Sequence, residues 1–334
     1  MLRKLRNGIL YLLFLAISTL LLLEVCYRYY IVDFYSAQFQ ALNKQELEEA
    51  EDLPSILVVG DSFSADQNSY VKGLRTQISG HRIINAAIPG TCIRQHERFF
   101  AKRLKDFQPD LIIYQTYVGN DLLEYRHPTT GDGLSWQRKC YWWLADRFLV
   151  LGYINAQLPL LRNSFFATQR VDYDTKAQEG FSVENYSRRT PMLLRAEPSY
   201  LNNSILLKGA RVMDMEHMST DIAQMLGEVS AETPILVLVM PHCVQLGNPY
   251  KNRLEQLGAD LDTIIDLEKE HYPYYQALER YLEAESPVLV NPLPWLKNSG
   301  RSDLYYPNDP HLTPAGQKLV SDSLLAIINP LIGQ

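Results

Sequence analysis

The chain opens on an apolar run. Residues Ile9 to Leu23 carry no charge and are rich in leucine. Arg3, Lys4 and Arg6 precede the run, and Glu24 and Arg28 follow it, with Tyr27, Tyr29 and Tyr30 interleaved. Continued to Cys26, the run approaches the ~20 residues that cross hydrocarbon. The basic residues ahead of it predict an N-terminus kept in the cytoplasm, and the tyrosines suit the far interface. A cleaved signal peptide would want small residues at its cleavage site, and none follows at a good distance. A lipoprotein would want small residues before its cysteine, where this chain has Leu23-Glu24-Val25. The pattern predicts an uncleaved transmembrane anchor over 1–30, ahead of a cleaved signal or a buried soluble helix. The rest of the chain then lies outside the cytoplasmic membrane, in the periplasm or at the cell surface. Residues 31–53 read as a tether, polar and acidic from Gln38 to Asp52, with a short helix over Gln45–Glu51.

The remainder, 54–334, alternates strand and helix patterns. Short β-branched runs at Ser55–Val59, Arg82–Ala86, Leu111–Tyr117, Pro234–Met240 and Val288–Val290 predict five strands. Helical patterns fall near Ser64–Ile78, Ile93–Phe107, Ala210–Glu232 and Gln276–Glu285. A last helix, N-capped by Thr313 with Pro314 at its first position, runs to about Ile328. Strands alternating with helices predict an α/β fold, with a mostly parallel sheet covered on both faces. Sites in such folds lie beyond the carboxyl ends of the strands. Gly60-Asp61-Ser62, Pro89-Gly90, Gly119-Asn120 and Pro241-His242 each follow a strand, so they should gather on one sheet edge. The interval from about 126 to 208 breaks the pattern. It holds Trp136, Tyr141, Trp142, Trp143, Phe148, Tyr153, Phe165 and Phe166. It reads as a helical insertion with its own small core, or as a lid with aromatic faces for a sugar ring or a membrane surface.

Composition narrows the function. With 334 residues the chain fits one catalytic domain plus additions, and a net charge of −6 argues against a nucleic-acid partner. The cysteines Cys26, Cys92, Cys140 and Cys243 form no C-x-x-C pair. Beyond Cys26, one disulfide with a free thiol and three buried thiols are equally open. No His, Asp and Glu cluster has metal spacing, so neither a catalytic metal nor another cofactor is expected.

The motifs are weak one by one, but their order is informative. Gly60-Asp61-Ser62-Phe63-Ser64, Asn85-Ala86-Ala87-Ile88-Pro89-Gly90-Thr91, Val118-Gly119-Asn120-Asp121 and Asn308-Asp309-Pro310-His311-Leu312 follow one another along the chain. Together they resemble the four blocks of the SGNH (GDSL-like) hydrolase superfamily, over roughly 55–125 and 234–328. The resemblance implies a flavodoxin-like α/β/α sandwich and action on esters, including acetylated sugars. It implies Ser62 as nucleophile, His311 as general base and acid, and Asp309 as the group that orients the imidazole. It also implies an oxyanion hole built from the backbone N–H groups of Ser62 and Gly90 and the side-chain amide of Asn120. Much of the family spaces its last block Asp-x-x-His. Here it is Asp309-x-His311, a spacing shared by similar enzymes that move acetyl groups on polysaccharides. A backbone carbonyl orienting His311 is the alternative.

Neighbouring residues read as structural. Asp61 suits a helix N-cap, His242 a satisfied loop histidine and His96 a solvated helix face. The expected activity is hydrolysis of an O-acyl ester, above all O-acetyl on an extracytoplasmic carbohydrate. Transfer of the acyl group to a sugar hydroxyl uses the same site, and a non-catalytic envelope scaffold is the reading from another class.

Overall fold

The computed structural model describes residues 2–48, 53–129, 133–166, 180–261 and 264–333. Five parallel strands form its sheet: β1 (Ser55–Val59), β2 (Arg82–Asn85), β3 (Leu111–Tyr117), β4 (Ile235–Met240) and β5 (Val288–Val290). Their order, β2-β1-β3-β4-β5, is the flavodoxin-like one. Every residue of β1, β3 and β4 is buried, as expected for strands covered on both faces. That double burial is why continuous apolar runs marked them in the sequence.

The helices follow the expected pattern with shifted ends: the one expected over Ala210–Glu232 spans Arg211–Leu226, and the one over Gln276–Glu285 spans Pro273–Tyr281. Ile93–Phe107 is one helix, and Pro314–Leu331 begins at Thr313, whose hydroxyl accepts the Gly316 N–H. The helix expected from Ser64 to Ile78 is instead two, Ser62–Ala65 and Tyr70–Gln77. Asp66 is extended (ψ 138°), which breaks the helical path between them. Within the interval 126–208 the described helices are Trp136–Ala145, Val150–Phe166, Arg189–Ala196 and Tyr200–Ile205. The side chains of Phe165 and Phe166 lie outside the description, as do residues 130–132 and 167–179.

The helix Arg3–Arg28 is long and apolar enough to cross a membrane, by length and composition. Only 6% of its most apolar stretch is covered by the protein, unlike a core helix. Its last turns are held. Glu24 accepts the Val150 N–H (3.0 Å), and Arg28 donates to the Arg147 carbonyl (2.8 Å). Tyr27 packs with Leu149 and Val150 in a small cluster of its own, apart from the main core.

Residues 31–48 are docked on the domain, although their polar sequence suggested a tether. Phe39 is buried beneath the Arg103 guanidinium, 3.7 Å from the ring centroid. Arg103 in turn pairs with Asp33 at 2.6 Å. Lys44–Glu48 is helical, and the rest of the expected Gln45–Glu51 helix lies outside the described residues. The docking completes the free edge of β2. Asn43 accepts the Asn85 N–H (2.6 Å) and donates to the Asn85 carbonyl (2.8 Å). Glu46 accepts the Ile83 N–H (2.8 Å), and Arg75 donates to the Ile83 carbonyl (2.6 Å). Side chains thus do what a neighbouring strand would do, and the edge offers no open ladder.

Candidate active site

Ser62, Gly90, Asn120 and His242 follow β1, β2, β3 and β4, so the parallel sheet brings their loops to one edge. The strand order reverses between β1 and β3, and a crevice forms at such a switch point. Ser62 and Asn120 flank it.

The turn carrying Ser62 is tightly specified. Asp61 caps it by accepting the Phe63 N–H (2.9 Å), as the sequence reading expected. Gln115, reaching up from β3, accepts the Asp61 N–H (3.1 Å) and the Ser64 hydroxyl (3.0 Å). A Cβ on Gly60 would lie 2.5 Å from the same Gln115 oxygen, so only glycine fits there. Asn85 ties the second loop to the first by donating to the Ser64 carbonyl (2.7 Å), and Ile88 N–H donates to the Gly60 carbonyl (2.9 Å). The helix that begins at Ser62 has a single turn. Its dipole is correspondingly small, and the N–H groups of Phe63, Ser64 and Ala65 are all bonded to Asp61, which leaves that of Ser62 to face an anion.

His311 arrives from a separate loop. Residues 304–313 fold back through a Tyr305–Leu312 bridge, and the buried Tyr305 hydroxyl donates to the Pro241 carbonyl (2.6 Å) at the end of β4. Phe63 packs against the imidazole, with ring centroids 4.9 Å apart. Ser62 Oγ lies 2.8 Å from His311 Nε2, and His311 Nδ1 contacts Asp309 Oδ1. The same Asp309 oxygen accepts the backbone N–H of His311 (2.9 Å). A carboxylate only accepts, so the proton belongs on Nδ1 and Nε2 is left to accept the Ser62 hydroxyl. Burial pulls the His311 pKa down, but the bond to Asp309 and its charge more than offset this, aided by Asp61 and Asp66. The net result is an imidazole raised above its ordinary 6.5. Asp309 is 4% exposed, whereas Ser62 and His311 remain partly accessible.

Asn120 is held less directly. Asp121 fixes its turn by accepting the Thr116 hydroxyl (2.6 Å) and the Tyr117 N–H (2.9 Å). Burial keeps the Asp121 carboxyl well above the usual range. Asn120 Nδ2 donates to Glu124 at 3.4 Å, one turn along the Asp121–Tyr125 helix. Glu124 is paired with Arg189 from the insertion. Gly90 has φ +71°, a left-handed conformation that favours glycine, and a Cβ there would stand 3.3 Å from Arg189 Nη1. Asn120 is thus tied to a Glu124–Arg189 pair, near Gly90, that the sequence reading missed. Glu124 carried a usable signal, four residues beyond Asn120 on a helix. Arg189 carried none, because it stands in the unmatched interval.

The insertion reaches the site by a second route. Asn308, next to Asp309, accepts the Ser182 N–H (2.8 Å), and its backbone carbonyl accepts the Ser187 N–H (2.9 Å). Two other histidines lie outside the Ser62–His311–Asp309 arrangement. His242 is buried, accepts the Val244 N–H (3.1 Å) and stacks on Tyr117. Burial, then the nearby His311, pushes its pKa down to about 3. His96 corrects the sequence reading. It is fully buried, 2.9 Å from the Thr91 hydroxyl, and burial pushes its pKa down to about 3. Helical spacing puts it on the buried stripe of Ile93, Phe99, Phe100 and Arg103. The cysteines are unpaired: Cys92 and Cys243 are buried and Cys140 is exposed.

No family model matches the sequence, and no curated protein matches it by sequence. Among solved structures, TesA is 14% identical, over 83% of this chain and 99% of its own, with a TM-score of 0.40. A catalytic mutant of Axe2, an acetylxylan esterase from Geobacillus stearothermophilus, is 12% identical over 82% and 94%, with a TM-score of 0.42. The psychrotrophic esterase EstA from Pseudoalteromonas sp. is 14% identical over 84% and 99%, with a TM-score of 0.38.

Proposed function

We propose that the chain is a serine esterase of the SGNH kind, held at a membrane by its amino-terminal helix, acting on O-acyl esters. The observation that carries the reading is the unbroken relay from Ser62 Oγ through His311 to Asp309. In the first half-reaction Ser62 Oγ bonds to the acyl carbon while its proton passes to His311 Nε2. The oxyanion is received by the N–H groups of Ser62 and Gly90 and by the Asn120 amide. On collapse the C–O bond to the alcohol breaks, and the alcohol leaves with the proton from His311. Water then attacks acyl-Ser62, giving its proton to His311. The carboxylic acid leaves, and Ser62 recovers its hydrogen. Asp309 holds the imidazole in the required tautomer throughout.

A sugar hydroxyl can replace water in the second half, which makes acyl transfer an outcome of the same site. The class of substrate that suits the reading is an O-acetylated carbohydrate outside the cytoplasm.

Labelling the full-length protein in detergent with a fluorophosphonate, beside Ser62→Ala, tests the reading. Wild type should label and the variant should not. A folded wild type that stays unlabelled would overturn it. Acetate release from acetylated oligosaccharides, with and without acceptor sugar, then separates hydrolysis from transfer. Retention in membranes after a carbonate wash tests the anchor.

A further inference from the structure

A cavity of about 550 Å³ opens beside the candidate active site, between it and the amino-terminal helix. Its walls fix that position. Tyr125 and His127 come from the segment that follows Asn120, and His127 Nε2 lies 3.9 Å from Glu124. On the other side, the Arg147 carbonyl accepts Arg28 from the last turn of the apolar helix.

The cavity is cationic in a chain whose net charge is −6. Arg94, Arg126 and Arg147 line it against one carboxylate, Asp146. Asp146 is already engaged, by His127 Nδ1 at 2.6 Å and by Arg94 at 3.9 Å. Arg147 has no acidic partner among the described residues. Its guanidinium lies over the Trp143 ring at 3.9 Å, and one of its nitrogens donates to the Trp143 carbonyl. Arg126 is half exposed and turns its Nε to Asp214 (3.1 Å). That leaves its terminal nitrogens for another acceptor. Trp143 is itself half exposed. Arg94 spends its terminal nitrogens on the Tyr125 and Asp146 carbonyls, at 3.2 and 2.6 Å, and adds charge to the wall. The Arg126 and Arg147 forks around one space match the oxygens of a tetrahedral anion, and the aromatic face suits a carbon skeleton attached to it.

We propose that this cavity binds a phosphate ester. Two sources share that chemistry: the headgroup of a lipid beside the amino-terminal helix, and a soluble phosphorylated compound. The lipid source rests on the membrane anchor proposed above, and the soluble source does not.

The test uses full-length protein in dodecyl maltoside, whose headgroup carries no phosphate. Tryptophan fluorescence is followed while sn-glycerol 1-phosphate, or phosphatidylglycerol mixed into the micelles, is added at low salt. Saturable binding of at least one probe is expected, about ten-fold weaker in Arg147→Gln, consistent with the loss of one charge-assisted contact. Thr129→Glu, which puts a negative charge on the cavity wall, should weaken it as much. Binding of the lipid alone assigns a headgroup, and equal binding of glycerol phosphate assigns a soluble ester. Circular dichroism shows whether the variants are folded. The proposal is overturned if neither probe binds saturably, or if folded Arg147→Gln and Thr129→Glu bind as wild type does. Fluorophosphonate labelling of the same samples reads the Ser62 reaction separately, so loss of one result leaves the other standing.

Discussion

Asp309→Asn should cost this protein far less than the same change costs an ordinary triad. Where the acid comes from elsewhere in the chain, asparagine turns its NH₂ toward the imidazole, imposes the wrong tautomer and lowers kcat about 10⁴-fold. Here one oxygen, Asp309 Oδ1, serves both the imidazole and the backbone N–H of His311, the latter at 2.9 Å. Turning the amide would set NH₂ against that N–H and leave a buried donor unpaired, a loss of about 1–3 kcal/mol. The amide oxygen should therefore stay where Oδ1 was, and Nδ1 should keep its proton. What disappears is charge. A charge-assisted hydrogen bond exceeds a neutral one by about 1.5 kcal/mol, which converts to roughly ten-fold in kcat. The pH profile supplies a second reading. In the proposed mechanism catalysis needs neutral His311, so the rate should climb as pH rises through its pKa. Asp309 raises that pKa, so the wild-type limb lies above 6.5 and Asp309→Asn should shift it to lower pH. Rates of 4-nitrophenyl acetate hydrolysis by full-length protein, from about pH 5 to about pH 9, measure both effects. A 10⁴-fold loss would show that the tautomer has inverted. An unshifted limb with less than two-fold loss would show that Asp309 does not orient His311.

Other expectations follow from the same geometry. Asn120→Ala should lower kcat by ~10²–10³ with little change in KM, and a pure KM effect would remove it from the oxyanion hole. Arg189→Ala should leave the Glu124 carboxylate unneutralised beside the Asn120 amide and lower kcat about ten-fold. Adding Glu124→Gln should restore most of that loss, and failure to do so would give Arg189 another role. Asn43→Ala removes a fully buried amide that makes four hydrogen bonds, to Phe39, Arg75 and both backbone groups of Asn85. It should destabilise the domain by about 2–3 kcal/mol in urea titration, and a change under about 0.5 kcal/mol would contradict the edge role.

The sheet was legible because full burial leaves an unmistakable run of apolar residues. Ser55–Val59 and Leu111–Tyr117 were placed by that run alone. The Ser62, Gly90 and Asn120 blocks could be set at one edge because each follows a parallel strand, whereas the His311 block follows none and was read by its likeness to a family motif. Polar residues that act on backbone were not legible. Asn43 and Glu46 look solvated in sequence, yet they satisfy buried strand groups. Gln115 likewise reads as one polar break in a strand, not as the brace of the Ser62 turn. His96 could have been placed, since its spacing from Ile93 and Phe100 is that of a buried stripe. Arg189 could not, because only the folded insertion carries it to Glu124.

The closure of β2 by residues 43–46 bears on where this protein can be cut and with what it can assemble. By its hydrophobic pattern the domain begins at residue 54, and a chain trimmed there would look intact in sequence. It would bare the Ile83 N–H and both backbone groups of Asn85, leaving the strand edge open to a second copy or to any extended peptide. A trimmed soluble form that keeps the edge shut must start before Asp33, so that the Asp33–Arg103 and Phe39 contacts survive. The intact chain, for its part, has no vacancy for a sixth strand on that side, and self-association through β2 is closed to it.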